Sequence, residues 1–260
     1  MKTKLNGVDF AWDEAGSGPA LVMLHGLPFQ RGMWAPQLSG LSKGFRVIAP
    51  DLRGFGESGL PPGETTVDTY ADDIADLIAH WKTGPVLLAG HSMGGYIALA
   101  FARRHPKLLR GLVFVASRST ADDAETASNR RSVAARLRSE SPQFVAESML
   151  PRMPASGNRD PNLLSAIRAL MEPLRADGIA QAQLALASRP DSTPLLPQVS
   201  CPALVVAGEK DAIIPLEDAG IFAAGFRQGR LEVVEGAGHM LSWEKPGALQ
   251  AVFEKWANKI

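Results

Sequence analysis

The residues best placed to do chemistry in this chain are Gly90-His91-Ser92-Met93-Gly94-Gly95, a G-x-S-x-G pattern. An apolar run, Val86 to Ala89, precedes it, and a helix-forming segment, Tyr96 to Arg104, follows. A serine on a sharp turn between a buried strand and a helix projects its hydroxyl outward. Gly90 and Gly94 remove the Cβ atoms that would obstruct such a turn. The start of the following helix would aim N–H groups and a positive dipole end at charge developing near Ser92. The chemistry this suggests is nucleophilic attack by the Ser92 hydroxyl.

A serine hydroxyl needs a base. The chain has five histidines: His25, His80, His91, His105 and His239. His80 and His105 fall at the ends of expected surface helices. His91, on the strand side of the turn, is expected to point away from a pocket, and His25 to brace its own loop. His239 lies in Gly236-Ala237-Gly238-His239, beyond the last apolar run, at the same end of the sheet as Ser92. Sites in open parallel sheets form beyond the carboxyl ends of the strands. A carboxylate should then fix the tautomer of the base. Asp211, in the loop after Ala203 to Ala207, is the leading candidate; Glu209, Glu217 and Asp218 are its rivals. Two backbone donors are needed for an oxyanion. The amide of Met93 follows the nucleophile directly. Leu27 supplies the second, because Gly26 permits a close turn and Pro28 has no N–H.

These residues require a sheet whose strands all end on one side. Short apolar runs at Ala20–Leu24, Phe45–Ala49, Val86–Ala89, Leu112–Ala116, Ala203–Ala207 and Leu231–Val234 read as strands buried on both faces. Residues 3–14 read as a hairpin turning at Asn6-Gly7. Helical segments at Met33–Leu41, Val67–Trp81, Tyr96–His105, Pro215–Phe226 and Pro246–Ala257 separate the runs. This alternation predicts a mostly parallel central sheet with helices on both faces, an α/β fold. Between residues 117 and 197 strand signals vanish. Helices are expected from a cap at Thr120 or Asp122 to about Ser139, over Pro142–Met149, from Asp160-Pro161 through Met171, and from Asp177-Gly178 to about Ser188. The expected organisation is a core of residues 1–116 and 198–260 with an all-helical cap, 117–197, inserted above it.

Lys plus Arg and Asp plus Glu number 27 each, so charge balance points to neither nucleic acid nor an anionic membrane as partner. The single cysteine, Cys201, rules out an internal disulfide and fits a reducing compartment; it reads as a packing residue. The first residues lack the apolar stretch of a signal peptide, so a cytoplasmic location is expected.

Taken with His25-Gly26-Leu27-Pro28, the stretch Asp51 to Ser58, Gly208 to Asp211 with Pro215, and Glu244 with Pro246, these motifs resemble the α/β-hydrolase family, in family order along nearly the whole chain. The segment Arg189 to Pro194 and the cap opening, Ser117 to Arg131, are similar to 3-oxoadipate enol-lactonases and related carboxylesterases. Those lactonases carry a tryptophan in the cap, and this cap has none. A serine at position 92 differs from dehalogenases and epoxide hydrolases, whose relatives carry aspartate there. The resemblance implies a Ser92-His239-Asp211 triad, no cofactor or metal, and a small-molecule ester or lactone as substrate. Cofactor-free perhydrolysis or haloperoxidase-like chemistry, and a non-catalytic receptor role, are the alternatives on the same fold. The pocket is expected to draw on Phe29, Trp34, Ile213 and Met240 from the core and on Phe144, Met149, Leu150 and Met153 from the cap. Ten arginines in the cap region, Arg118 to Arg189, include candidates for an acidic substrate, with none distinguished.

Overall fold

The computed structural model describes residues 1–172 and 174–259. The hairpin forms from β1 (Lys2–Leu5) and β2 (Val8–Ala15). Leu5 pairs with Val8, so Asn6 and Gly7 are the whole loop, both at positive φ, as a two-residue turn that matches strand twist demands. The remaining strands are β3 (Ala20–Leu24), β4 (Arg46–Pro50), β5 (Val86–His91), β6 (Leu109–Val115), β7 (Ala203–Gly208) and β8 (Gly229–Val234). They form one eight-stranded sheet in the order β1-β2-β4-β3-β5-β6-β7-β8. Strands β3 to β8 run parallel; β2 is antiparallel to both β1 and β4.

Side chains alternate along the parallel strands between two cores. Val22, Leu24, Val86 and Leu88 face one; Leu21, Met23, Leu87 and Ala89 face the other. Helices cover both faces: α1 (Ala35–Leu41), α2 (Val67–Trp81), α3 (Met93–Arg104), and, after the cap, α8 (Leu216–Gly225), α9 (Leu241–Glu244) and α10 (Pro246–Ala257). Helix α2 buries Val67, Tyr70, Ile74, Leu77, Ile78 and Trp81, its apolar stripe, and starts in a capping box between Thr66 and Thr69. Helix α3 is buried from Met93 to Ala102, and its small residues let it lie close on the sheet.

Helix α3 begins at Met93 instead of Tyr96, because Gly94 and Gly95 belong to its first turn and the turn itself closes at Ser92. Between β6 and β7 lie α4 (Ala124–Arg136), α5 (Gln143–Met149), α6 (Pro161–Met171) and α7 (Ala176–Ala187), with no strand among the described residues there. Helix α4 is capped by Asp123, whose carboxylate accepts the Thr126 N–H at 2.7 Å, and by neither Thr120 nor Asp122. The Asp122 carboxylate is instead engaged by arginines. Helix α6 is capped by Asp160, with Pro161 in its first turn. Among the described residues no helix is long and apolar enough to cross a membrane.

Candidate active site

Ser92 sits between β5 and α3 with φ 48° and ψ −110°, a strained conformation for a residue with a side chain. Two features hold it there. The Ser92 N–H donates to Val115 O at 2.9 Å, and Ser117 Oγ donates to Ser92 O at 3.0 Å. A Cβ on Gly90 would overlap the Gly94 carbonyl, and one on Gly94 would overlap that of Leu24, so the crossing of helix over strand requires glycine at both.

Loops after β7 and β8 bring Asp211 and His239 together. The His239 Nδ1–H donates to Asp211 Oδ2 at 2.9 Å, with both side chains almost wholly buried. The other oxygen, Oδ1, accepts the N–H groups of Ile213 and Ile214 at 2.7 and 3.0 Å. Burial pushes the Asp211 carboxyl up, but the His239 charge and hydrogen bond, with the Ile214 and Ile213 amides, outweigh it and hold the group below the usual carboxylate range. A carboxylate so fixed keeps the Nδ1 proton on His239 and leaves Nε2 free to accept one.

Ser92, His239, Leu27 and Met93 line one cavity of about 600 Å³. No hydrogen bond joins Ser92 to the His239 ring among the described residues; such contacts commonly tighten only with substrate in place. The Leu27 and Met93 N–H groups have no acceptor within the protein among the described residues. Two free amides beside a serine form an arrangement able to hold an oxyanion.

Of the rivals to Asp211, Glu209 accepts the Gly236 N–H at 2.8 Å and braces the His239 loop. Glu217 and Asp218 lie in the first turn of α8. His25 is fully buried; its Nε2 accepts the Leu52 N–H at 3.0 Å. Burial pushes its pKa down to about 4. His80 and His105 take no part in the cavity.

Only Phe144, Met149 and Ile213 of the eight expected pocket residues line the cavity. Phe29, Trp34, Leu150, Met153 and Met240 are buried in the core on the α1 and α10 side of the sheet. Phe29 and Trp34 lie edge-on to His91, at 6.3 and 6.4 Å between ring centroids. Met240 N–H donates to Met153 O at 2.7 Å, so these two residues join the cap to the core instead of lining the cavity. The lining also includes Tyr96, Val133, Val145, Leu186 and Ile214, and a polar set, Arg118, Glu125, Thr126, Asn129, Arg130, Ser148, Arg152 and Gln183. Half of that set, Glu125, Thr126, Asn129 and Arg130, lies on α4, a helix of low apolar content.

Two further residues support His239. His91 Nε2 donates to the His239 carbonyl at 2.9 Å, and the rings lie 4.8 Å apart. His91 does not line the cavity. Burial first, then the neighbouring His239, pushes its pKa down to about 3. Glu244 accepts the Gly238 N–H at 2.6 Å, the Ala155 N–H at 3.0 Å and the Asn158 side-chain amide at 2.6 Å. It thereby ties the His239 loop to the cap. The sequence offers Glu244 as a motif residue but no sign of these partners, which are distant in the chain.

Comparison with known proteins agrees with this architecture. The α/β-hydrolase fold family matches residues 19–246, and the chain belongs to it. Its fold is close to that of a thermophilic esterase from Thermogutta terrifontis solved with malate bound, at a TM-score of 0.94 and 41% identity over 99% of this chain and 96% of that one. The enol-lactonase from Burkholderia xenovorans LB400 gives a TM-score of 0.89 and 26% identity, covering 99% and 100% of the two chains. In sequence the chain is 30% identical to the 2-(acetamidomethylene)succinate hydrolase of Mesorhizobium japonicum, over 90% of this chain and 86% of that protein. Esterases and enol-lactonases are thus among its structural neighbours within a family of hydrolases.

Proposed function

We propose that the protein is a serine hydrolase that cleaves a carboxylic ester or lactone through an acyl-enzyme. The observation that carries this reading is the buried His239–Asp211 pair opening, with Ser92 and the free Leu27 and Met93 amides, into one cavity. Ser92 Oγ attacks the substrate carbonyl carbon while His239 Nε2 takes its proton. Asp211 stabilises the imidazolium through Nδ1. The carbonyl oxygen becomes an oxyanion and accepts hydrogen bonds from Leu27 and Met93 N–H. Collapse breaks the carbon–oxygen bond, and His239 returns its proton to the leaving oxygen. In a lactone that oxygen stays attached to the acyl chain. Water, losing a proton to His239 Nε2, then attacks the acyl carbonyl; the Ser92 Oγ–acyl bond breaks, His239 returns the proton to Ser92 Oγ, and the free acid leaves.

The esterase and enol-lactonase neighbours support both substrate types. The test is hydrolysis of p-nitrophenyl acyl esters of graded chain length and of a panel of lactones. Wild-type turnover is expected, with kcat reduced roughly 10⁴-fold or more in Ser92→Ala. Absence of turnover on every ester and lactone would falsify the reading.

A further inference from the structure

We propose that the cavity over Ser92 takes a substrate bearing a free carboxylate, bound by Arg118, with Arg130 and Arg152 adding to the positive potential around it. This deepens, and rests on, the serine-hydrolase reading of the same site.

The argument begins with the charge of the lining. Three arginines, Arg118, Arg130 and Arg152, face the cavity, against one carboxylate, the exposed Glu125. A cleft with low-dielectric walls and an excess of one sign concentrates ligands of the opposite sign. An ester without charge gains little from such a lining.

The arginines differ in how far the protein satisfies them. The Asp122 side chain is buried and meets three guanidinium groups, those of Arg118, Arg130 and Arg189. Its Oδ2 is taken by Arg130 Nε and by Arg189 Nη1. Arg130 also donates to Gln183 Oε1 at 2.9 Å. Arg189 donates to the Leu186 and Thr120 carbonyls and lies 4.1 Å over the Tyr96 ring. Both are therefore held mainly by the fold. Arg118 is left with a 3.3 Å contact from Nη2 to Asp122 Oδ1 and a 3.8 Å approach of Nη1 to Asp218. Its Nη1 makes no hydrogen bond within the protein among the described residues, and its side chain is a quarter exposed, so its terminal donors stay open to a ligand in the cavity. A charged donor without a full acceptor gains from a ligand that supplies one. The planar guanidinium fork matches a carboxylate, which offers two oxygens in one plane.

Position points the same way. Arg118 follows β6, the strand beside β5, and its neighbour Ser117 hydrogen-bonds the Ser92 carbonyl. Arg118 thus departs from the strand end beside the Ser92 turn and lines the same cavity as Ser92. A small substrate could span from Ser92 to Arg118, with Phe144, Val133 and Leu186 flanking its carbon chain.

The test compares p-nitrophenyl hydrogen glutarate with its neutral p-nitrophenyl methyl glutarate counterpart. The wild type is expected to favour the anionic ester in kcat/KM by about tenfold or more, the scale of one charge-assisted hydrogen bond. Arg118→Gln should bring that ratio close to one, Arg118→Lys should keep part of it, and Arg152→Gln should lower it less than Arg118→Gln does. The exposed Arg152 variant keeps the test open if Arg118→Gln fails to fold. Equal use of the two esters by the wild type, or a preference unchanged in both glutamine variants, overturns the proposal while leaving the hydrolase reading intact. Thermal unfolding with added glutarate separates the two. If neither ester is cleaved but glutarate raises Tm in the wild type and not in Arg118→Gln, the carboxylate site stands and the hydrolase reading falls.

Discussion

Asp211 spends one oxygen on His239 and the other on two backbone N–H groups, so its carboxylate cannot rotate. Its role in the proposed mechanism is to fix a tautomer, and that role depends on being an acceptor at Oδ2. Asp211→Asn would keep the shape but present an amide to His239 Nδ1, favouring the tautomer with its proton on Nε2. A base with Nε2 already protonated cannot take the Ser92 proton. Roughly a 10⁴-fold fall in kcat is expected, with KM little changed, measured by steady-state ester hydrolysis. A fall of less than tenfold would remove Asp211 from the mechanism. Ser92, Asp211 and His239 are all legible in sequence because each follows a short apolar run, and a run that short inside a βα alternation has one plausible structure. Arg118 is not legible in this way. Nothing local separates it from the other cap arginines; what distinguishes it is that Arg130 and Arg189 occupy one oxygen of Asp122.

At the scale of elements, the segment from Met153 to Asn158 straps the cap to the loops that carry Asp211 and His239. Met153 O accepts the Met240 N–H, Ser156 N–H donates to Lys210 O at 3.1 Å, and Glu244 gathers Ala155, Asn158 and Gly238. The His239 loop is therefore positioned partly by the cap. Glu244→Ala leaves the Gly238 and Ala155 donors without their carboxylate. A stability loss of about 1.5–3 kcal/mol is expected from urea midpoints, with a fall in kcat that Glu244→Gln partly reverses. Unchanged kcat in Glu244→Ala would show that the strap does not position His239. The same packing accounts for the misplaced pocket residues. Met153 and Met240 are apolar and close in sequence to cavity residues, yet the strap turns them into the core, while the polar face of α4 turns toward Ser92. The side of a helix that faces a cavity depends on how the helix docks. Its own periodicity tells only which side avoids water.

Across the whole molecule, two fully buried histidines link stability to pH. His25 and His91 are held neutral in the folded protein, with pKa values pushed down to about 4 and about 3 from the ordinary 6.5. Unfolding lets both take up protons below pH 6.5. Their folded-state pKa values are depressed, so the stability they allow is present above about pH 6.5 and is lost as pH falls. Both contribute between about pH 6.5 and 4, and His91 alone continues toward 3, where the depressed carboxyl of Asp211 adds to the loss. The limiting slope is about 1.4 kcal/mol per pH unit for each histidine. Urea unfolding at pH 7.5, 6 and 5 should show a midpoint that falls steadily, and His91→Asn should flatten that dependence. A midpoint constant over the range would mean that neither histidine is held neutral by burial.

The sequence by itself determined the alternation of strands and helices, the strained serine turn and the end of the sheet at which Ser92, Asp211 and His239 collect. Those features follow from local chemistry: glycine where a Cβ cannot fit, and apolar runs of strand length at regular intervals. Only the tertiary structure decided which residues wall the cavity, that His91 and Glu244 support the His239 loop, and that Arg118 keeps terminal donors without a hydrogen-bond partner in the protein. Each of these depends on contacts between segments far apart in the chain. A side chain's hydrogen-bond partners, and the charge left over once they are counted, exist only after the cap has docked on the core.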